Sequence, residues 1–168
     1  QTYCQLGVKE SEDQLSAGRY VAKLPYVDAA RIGIWGWSFG GYNTLMTLCG
    51  GNDVFAAGVA VAPVTDWKFY DSVYTERYMR TPQQNADGYK AASALERAKD
   101  LKGSLLIVTG SADDNVHPQN TYEFTEQLVQ SDIDFDMMVY TNRDHGIRGG
   151  NSNNHIYNKV LNHFKKNL

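Results

Sequence analysis

Arg31-Ile32-Gly33-Ile34-Trp35-Gly36-Trp37-Ser38-Phe39-Gly40-Gly41 is the stretch on which the reading of this chain turns. Ile32, Ile34 and Trp35 favour a strand, and Gly36 to Gly40 then spell G-x-S-x-G. That is the pattern of a strand turning sharply into a helix with a serine exposed at the apex. A turn so tight crowds Ser38 against the residues two before and two after, so Gly36 and Gly40 are both expected to need the missing Cβ. Three fixed positions of this kind arise by chance in about one chain in twenty of this length. The context raises the motif above that level, with a strand pattern in front and a helical pattern, Tyr42 to Leu48, behind.

The chain has 168 residues, enough for one domain with its own core, of which 42% are apolar and 21% charged. Sixteen basic and nineteen acidic residues give a net charge of −3 without a basic block, which argues against nucleic acid or an anionic membrane as partner. No apolar run approaches the length of a membrane span. Cys4 and Cys49 have neither disulfide-framework nor metal-ligand spacing, and both are expected to act as small buried hydrophobes. No cofactor and no metal site is expected. The chain opens Gln1-Thr2-Tyr3 without a methionine, which reads as a processed or truncated segment.

Periodicity gives the remaining elements. A helix is expected over Glu12 to Leu24, stopped by Pro25, and the strand at the motif over Ile32 to Trp37. The helix after the motif runs to about Cys49 and ends on Gly50-Gly51. Ala57 to Ala62, Leu105 to Thr109 and Phe135 to Tyr140 read as further strands. Helices are expected around Asp71 to Met79, around Tyr89 to Ala98, from Pro118 through Tyr122 to Val129, and over Asn154 to Phe164. Strands alternating with helices predict an α/β fold, about four parallel strands with helices on both faces. There is no internal repeat, low-complexity segment or linker.

A serine hydroxyl is a weak nucleophile until a histidine takes its proton, and a carboxylate must orient that histidine. In α/β-hydrolases the chain order is Ser, then Asp or Glu, then His, each in a loop at the C-terminal end of a strand. Here Ser38 follows the first strand, Asp113 and Asp114 the third, and His145 the fourth. Of the other histidines, His155 and His163 read as surface or semi-buried residues of the last helix. His117 shares its loop with the two acids, too close in sequence to bridge acid and serine easily.

These pieces carry a family resemblance. Gly36-Trp37-Ser38-Phe39-Gly40-Gly41-Tyr42, Ala60-Val61-Ala62-Pro63-Val64 and Tyr70-Asp71-Ser72-Val73-Tyr74-Thr75-Glu76-Arg77-Tyr78 resemble the catalytic domain of dipeptidyl peptidase IV-type serine peptidases, of the prolyl oligopeptidase clan. So do Ala112-Asp113-Asp114-Asn115-Val116-His117 and Asp144-His145-Gly146-Ile147. Phe39 departs from the tyrosine usual in the mammalian members. The resemblance covers nearly the whole chain and implies the second half of an α/β-hydrolase domain. It makes Ser38 the nucleophile, Asp113 the orienting carboxylate with Asp114 as the alternative, and His145 the general base. Asp114 otherwise reads as a loop residue capping the helix near Pro118.

The resemblance also assigns a substrate site. Asn115 is similar to the residue that hydrogen-bonds the carbonyl of the substrate's second residue from the cut. By spacing alone, Trp67, Tyr70, Tyr74 and Tyr78 form a core-facing stripe. The resemblance instead places Val64, Trp67, Tyr70 and Tyr74, with Phe39 and Val116, around a proline on the acyl side of the cut bond, and leaves Tyr78 in the core. The Phe39 backbone N–H is expected as one oxyanion donor. The second, in the resembled family, is a tyrosine hydroxyl upstream of Gln1, as are the first sheet strands and a β-propeller that holds the substrate's N-terminus.

Two readings stand side by side. The parent protein is expected to be a serine exopeptidase releasing X-Pro and X-Ala dipeptides from peptide N-termini, homodimeric and outside the cytoplasm as the family implies. The 168-residue chain alone is expected to be catalytically silent and to self-associate through the exposed edge of its first strand. A generic esterase or another peptidase of the same fold is the weaker alternative for the parent.

Overall fold

Two runs of small and branched apolar residues, Ala57–Val61 and Ser104–Gly110, form the two inner strands of the sheet, with every residue but Ser104 buried. Strands covered on both faces have no polar side to show, which is why these two read as unbroken apolar runs. The structure, a computed structural model, describes residues 2–168. Its sheet has the order β1 (Gly33–Trp37), β2 (Ala57–Val61), β3 (Ser104–Gly110), β4 (Asp136–Tyr140), all parallel. Trp37 is in register with Val61, Val61 with Val108, and Gly110 with Tyr140. All four C-terminal ends, and the loops that follow them, therefore lie along one edge of the molecule.

Alternate residues of the strands feed two cores. Ala60, Leu105 and Ile107 pack beneath α1 (Val8–Val21), α2 (Phe39–Cys49) and α5 (Gln119–Gln130), through Leu15, Leu45, Leu48, Phe124 and Leu128. Val59, Val61, Leu106 and Val108 face the other way, under Ile156 and Val160 of α6 (Ser152–Asn167). Helices thus lie on both faces of the parallel sheet, as the alternation of elements predicts.

The boundaries differ most from the periodic reading in the first helix, which also ends at Val21 rather than Leu24, and in the helix expected over Tyr89 to Ala98. α1 begins at Val8, four residues earlier than its apolar pattern, because Gly7 adopts the left-handed conformation and Glu10 caps its N–H at 3.0 Å. The helix expected over Tyr89 to Ala98 is split into α4 (Ala86–Ala91) and a 3-10 turn at Leu95–Asp100. Between them the Ala94 N–H donates to the Thr65 carbonyl at 2.9 Å, so a tertiary bond takes the place of a helical one. The remaining helix, α3 (Ser72–Met79), follows a 3-10 turn at Trp67–Phe69.

Several buried or exposed states also depart from expectation. Cys49 is buried, and burial pushes its thiol up to about 12, but Cys4 is only half-buried. Tyr78 is 36% exposed, leaning on the Tyr74 ring rather than entering the core. His163 is buried, with Nε2 facing the Ser104 carbonyl at 3.1 Å. No helix among the described residues is long and apolar enough to cross a membrane.

Among the described residues β1 pairs on one side alone, with β2, and Trp35 at its middle is 47% exposed. An unpaired apolar edge recruits other strands. The purified 168-residue chain is therefore expected to self-associate with rising concentration in light scattering. Trp35→Lys, which puts a charge on that edge, is expected to shift it toward monomer.

Candidate active site

The serine turn is set by a backbone contact. A Cβ added to Gly36 would lie 2.3 Å from the carbonyl carbon and oxygen of Gly40, closer than atoms can approach. Ser38 between them has φ 59° and ψ −118°, a strained conformation for a residue with a side chain. Two backbone hydrogen bonds hold it: its N–H donates to Val61 at 2.8 Å, and its carbonyl accepts from Tyr42 at 2.9 Å. Gly40 itself is different from expectation. A Cβ there would meet nothing within 4 Å, so the crowding is one-sided and only Gly36 is sterically required.

Behind the turn, α2 is fastened by Tyr42. Its ring is fully buried, and its hydroxyl lies 2.7 Å from the carbonyls of both Leu6 and Ala92. Burial pushes that hydroxyl well above the ordinary tyrosine range, so it stays a neutral donor.

The second group comes from the loop after β3. Asp113 is buried, and its Oδ1 accepts from the N–H groups of Asn115 and Val116 at 3.0 and 2.9 Å. Its Oδ2 lies 2.8 Å from His145 Nδ1. An ionised carboxylate only accepts, so Nδ1 carries the proton and Nε2 is left with its lone pair. With one oxygen held by the backbone, the carboxylate cannot rotate away from the imidazole. Asp114, the alternative acid, is exposed and does not reach His145. Nor does it cap α5, whose N-cap is Pro118 without a side-chain bond.

His145 is brought in from the loop after β4 by contacts the sequence did not advertise. A Cβ on Gly110 would lie 2.3 Å from the Arg143 carbonyl, so glycine there lets the two loops close on each other. The Ala112 N–H then donates to that same carbonyl at 3.0 Å. The Trp37 indole N–H donates to the His145 carbonyl at 2.9 Å, tying the histidine loop to the residue before Ser38. No hydrogen bond is formed between Ser38 and His145. His117 is exposed, with Nδ1 accepting from Gln119 N–H, and His155 Nδ1 lies 2.7 Å from the Tyr140 hydroxyl, both away from Asp113.

A recess of about 90 Å³ opens beside Ser38, lined by Phe39, Val64, Trp67, Tyr70 and Tyr74. Trp67 and Tyr74 stack at 5.7 Å, and Tyr70 meets both edge-on. Val116, expected in this wall, does not line the recess; it is buried behind it, in the core cluster that also holds Val64 and Trp67. The Tyr70 hydroxyl donates to Asn115 Oδ1 at 2.8 Å, which leaves the amide NH₂ of Asn115 free. Desolvation, then the charges of Asp71 and Asp113, raises the Tyr70 hydroxyl above its usual value and keeps it protonated. The Phe39 N–H, in the first turn of α2, has no partner among the described residues. Asn120, which drew no attention in the sequence, fastens the recess: its Oδ1 accepts from the Thr65 N–H at 2.9 Å and the Thr65 hydroxyl donates to its carbonyl at 2.7 Å. No group of three or more His, Cys, Asp or Glu among the described residues is placed to hold a metal ion.

A strand-to-helix serine turn at the C-terminal edge of a parallel sheet, with helices on both faces, defines the α/β-hydrolase fold. The chain belongs to the prolyl oligopeptidase family, whose model matches residues 1–168. It is 49% identical over 165 residues to dipeptidyl peptidase 4 of Felis catus, covering 96% of this chain and 21% of that protein. It is 42% identical over 167 residues to prolyl endopeptidase FAP of Mus musculus, covering 98% of this chain and 22% of that protein. The crystal structure of Porphyromonas gingivalis dipeptidyl peptidase 4 superposes with a TM-score of 0.98 at 63% identity, over 99% of this chain and 24% of that one. The chain thus spans about a fifth of the length of the curated relatives it matches.

The one-sided crowding at the turn separates two substitutions that the motif treats alike. Gly36→Ala is expected to destabilise the fold by about 3 kcal/mol or to prevent folding, since backbone must move to admit the methyl. Gly40→Ala, in the first turn of α2, is expected to be neutral or to stabilise by up to about 1 kcal/mol. Urea unfolding of both variants checks this.

Proposed function

We propose that the parent protein is a serine exopeptidase that releases dipeptides ending in proline or alanine from peptide N-termini. The observation that carries this reading is the Asp113–His145 pair at 2.8 Å, one loop away from a serine held at a strained strand-to-helix turn. The names of the relatives, dipeptidyl peptidase 4 among them, support the release of dipeptides. The small aromatic recess supports proline or alanine next to the cut, because it admits a compact ring or methyl and excludes long side chains.

In this mechanism the carbonyl of the substrate's second residue sits over Ser38, with its side chain in the recess. Ser38 Oγ attacks that carbon while His145 Nε2 takes the hydroxyl proton. The negative charge developing on oxygen meets the Phe39 N–H. The C–N bond then breaks, His145 returns the proton to the leaving amine, and the dipeptide remains as an ester on Ser38. Water, deprotonated by His145, hydrolyses the ester and restores the serine. Asp113 stabilises the imidazolium formed in each half and keeps the ring in the productive tautomer. The free amide of Asn115 donates to the substrate's first carbonyl.

The test uses the full-length protein. Ser38→Ala is expected to abolish labelling by a fluorophosphonate with the fold unchanged; labelling that survives names another nucleophile. Asp113→Asn is expected to lower kcat on a Gly-Pro chromogenic amide by roughly 10⁴-fold, because the tautomer is lost. Tyr74→Ala is expected to lower kcat/KM on the same amide on the order of tenfold, through lost contact with the proline ring.

For the 168-residue chain by itself we propose catalytic silence. The Phe39 N–H is the one oxyanion donor its sequence identifies, and removing a single donor from such a site costs roughly 10²- to 10³-fold in kcat. Turnover of the Gly-Pro amide by this chain is expected to fall at least that far below the full-length protein.

A further inference from the structure

The elbow separates two spaces. On the Phe39 side is the recess already described; on the Trp37 side, toward α6, lies a larger cavity of about 420 Å³. Its lining is Trp37, His145, Gly146, Arg148, Asn153 and Tyr157. The histidine that returns a proton to the leaving amine thus forms part of this second wall, whereas the acyl group occupies the first. The peptide that departs has to lie on the His145 side, because the proton it receives comes from there.

Arg148 is the one charged side chain in that lining, beside a neutral imidazole that accepts at Nε2. It is exposed, and it forms no ion pair or hydrogen bond among the described residues. Its side chain folds back over Gly146, with Cγ, Nε and Cδ 3.4 to 3.5 Å from where a Cβ on that glycine would sit. No carboxylate of the described residues pairs with it. Asp144 Oδ1 accepts from the Gly146 N–H at 3.0 Å, and Asp113 is bonded to His145 and to backbone. The neighbouring Arg143 is also occupied, donating from Nε to Ser152 Oγ at 2.9 Å. A planar guanidinium with open donors matches the geometry of a carboxylate.

We propose that Arg148 is a specificity-determining residue that selects leaving peptides carrying a carboxylate within their first two residues, either an acidic side chain or the terminal carboxylate of a very short peptide. The inference rests on the peptidase reading above. Arg148 acts on the leaving half of the substrate only, so its influence belongs to acylation and is read in kcat/KM.

The experiment compares paired peptides on the full-length protein, each pair differing in one charge. Gly-Pro-Gly-Glu-amide against Gly-Pro-Gly-Gln-amide tests the side-chain source, and Gly-Pro-Gly with a free against an amidated C-terminus tests the terminal one. The quantity read is the ratio of kcat/KM within a pair for each enzyme, so any general loss of activity in a variant cancels. The wild-type ratio is expected to favour the charged member roughly three- to tenfold in at least one pair, and to shrink between roughly 0.05 and 0.5 M salt. Arg148→Gln is expected to bring it to about one, Arg148→Glu to invert it, and Arg148→Lys to keep part of it. A preference in the first pair alone assigns the side-chain carboxylate, and in the second alone the terminal one; both support the proposal. A wild-type ratio of one in both pairs, or a preference that survives Arg148→Glu, overturns it while leaving the peptidase reading intact. A protein that cuts none of the four peptides and leaves Ser38 unlabelled overturns both.

Discussion

The contact of the Gly36 backbone with that of Gly40 governs how everything else can be arranged. It forces Ser38 into a conformation that an L-residue occupies only under constraint, and the constraint comes from both sides. β2 grips the Ser38 N–H through the Val61 carbonyl, and α2 is anchored through the buried Tyr42 ring and its hydroxyl. Strain at one residue survives because the sheet register and the helix anchor are each set by many buried groups. The position of the serine side chain is therefore a property of the whole α2–β2 core rather than of the five-residue motif.

The acid and the histidine are held by the same logic, using polar bonds instead of packing. Asp113 spends one oxygen on the backbone of its own loop and the other on His145, so one carboxylate both shapes the loop and aims the ring. The histidine loop in turn is clamped to Gly110 on one side and to the Trp37 indole on the other. Recess and loop are coupled too: Tyr70 orients Asn115, which belongs to the Asp113 loop, while Asn120 holds Thr65 beside the recess wall.

Much of this was legible in the chain because the signals are local. The unbroken apolar runs of β2 and β3 and the glycine-flanked serine each report their surroundings directly. The chain order of serine, acid and histidine placed all three at one edge of the sheet, since parallel strands share their C-terminal ends. What the sequence hid depends on partners far along the chain. The split at Ala92 to Ala94 follows from a bond to Thr65, and the exposure of Tyr78 from where α3 happens to sit. Gly40 looked indispensable by symmetry with Gly36, yet the contact between them needs only one missing Cβ. Trp37 read as the end of the first strand, and nothing local to it announced a hydrogen bond to a residue 108 positions away.

The strictly sequential order of the strands has a consequence for how the site comes into being. Each new strand lies beside its predecessor, so β1 with Ser38 occupies one margin of the four-stranded sheet and β4, which delivers His145, the other. A chain that adds strands from its N-terminal side would bury most of its core before the histidine loop has anything to rest on. The loop that carries His145 reaches Asp113 and the Trp37 indole only once β4 has docked beside β3. A polypeptide interrupted before β4 would carry the elbow serine and Asp113 without the histidine loop that Asp113 holds.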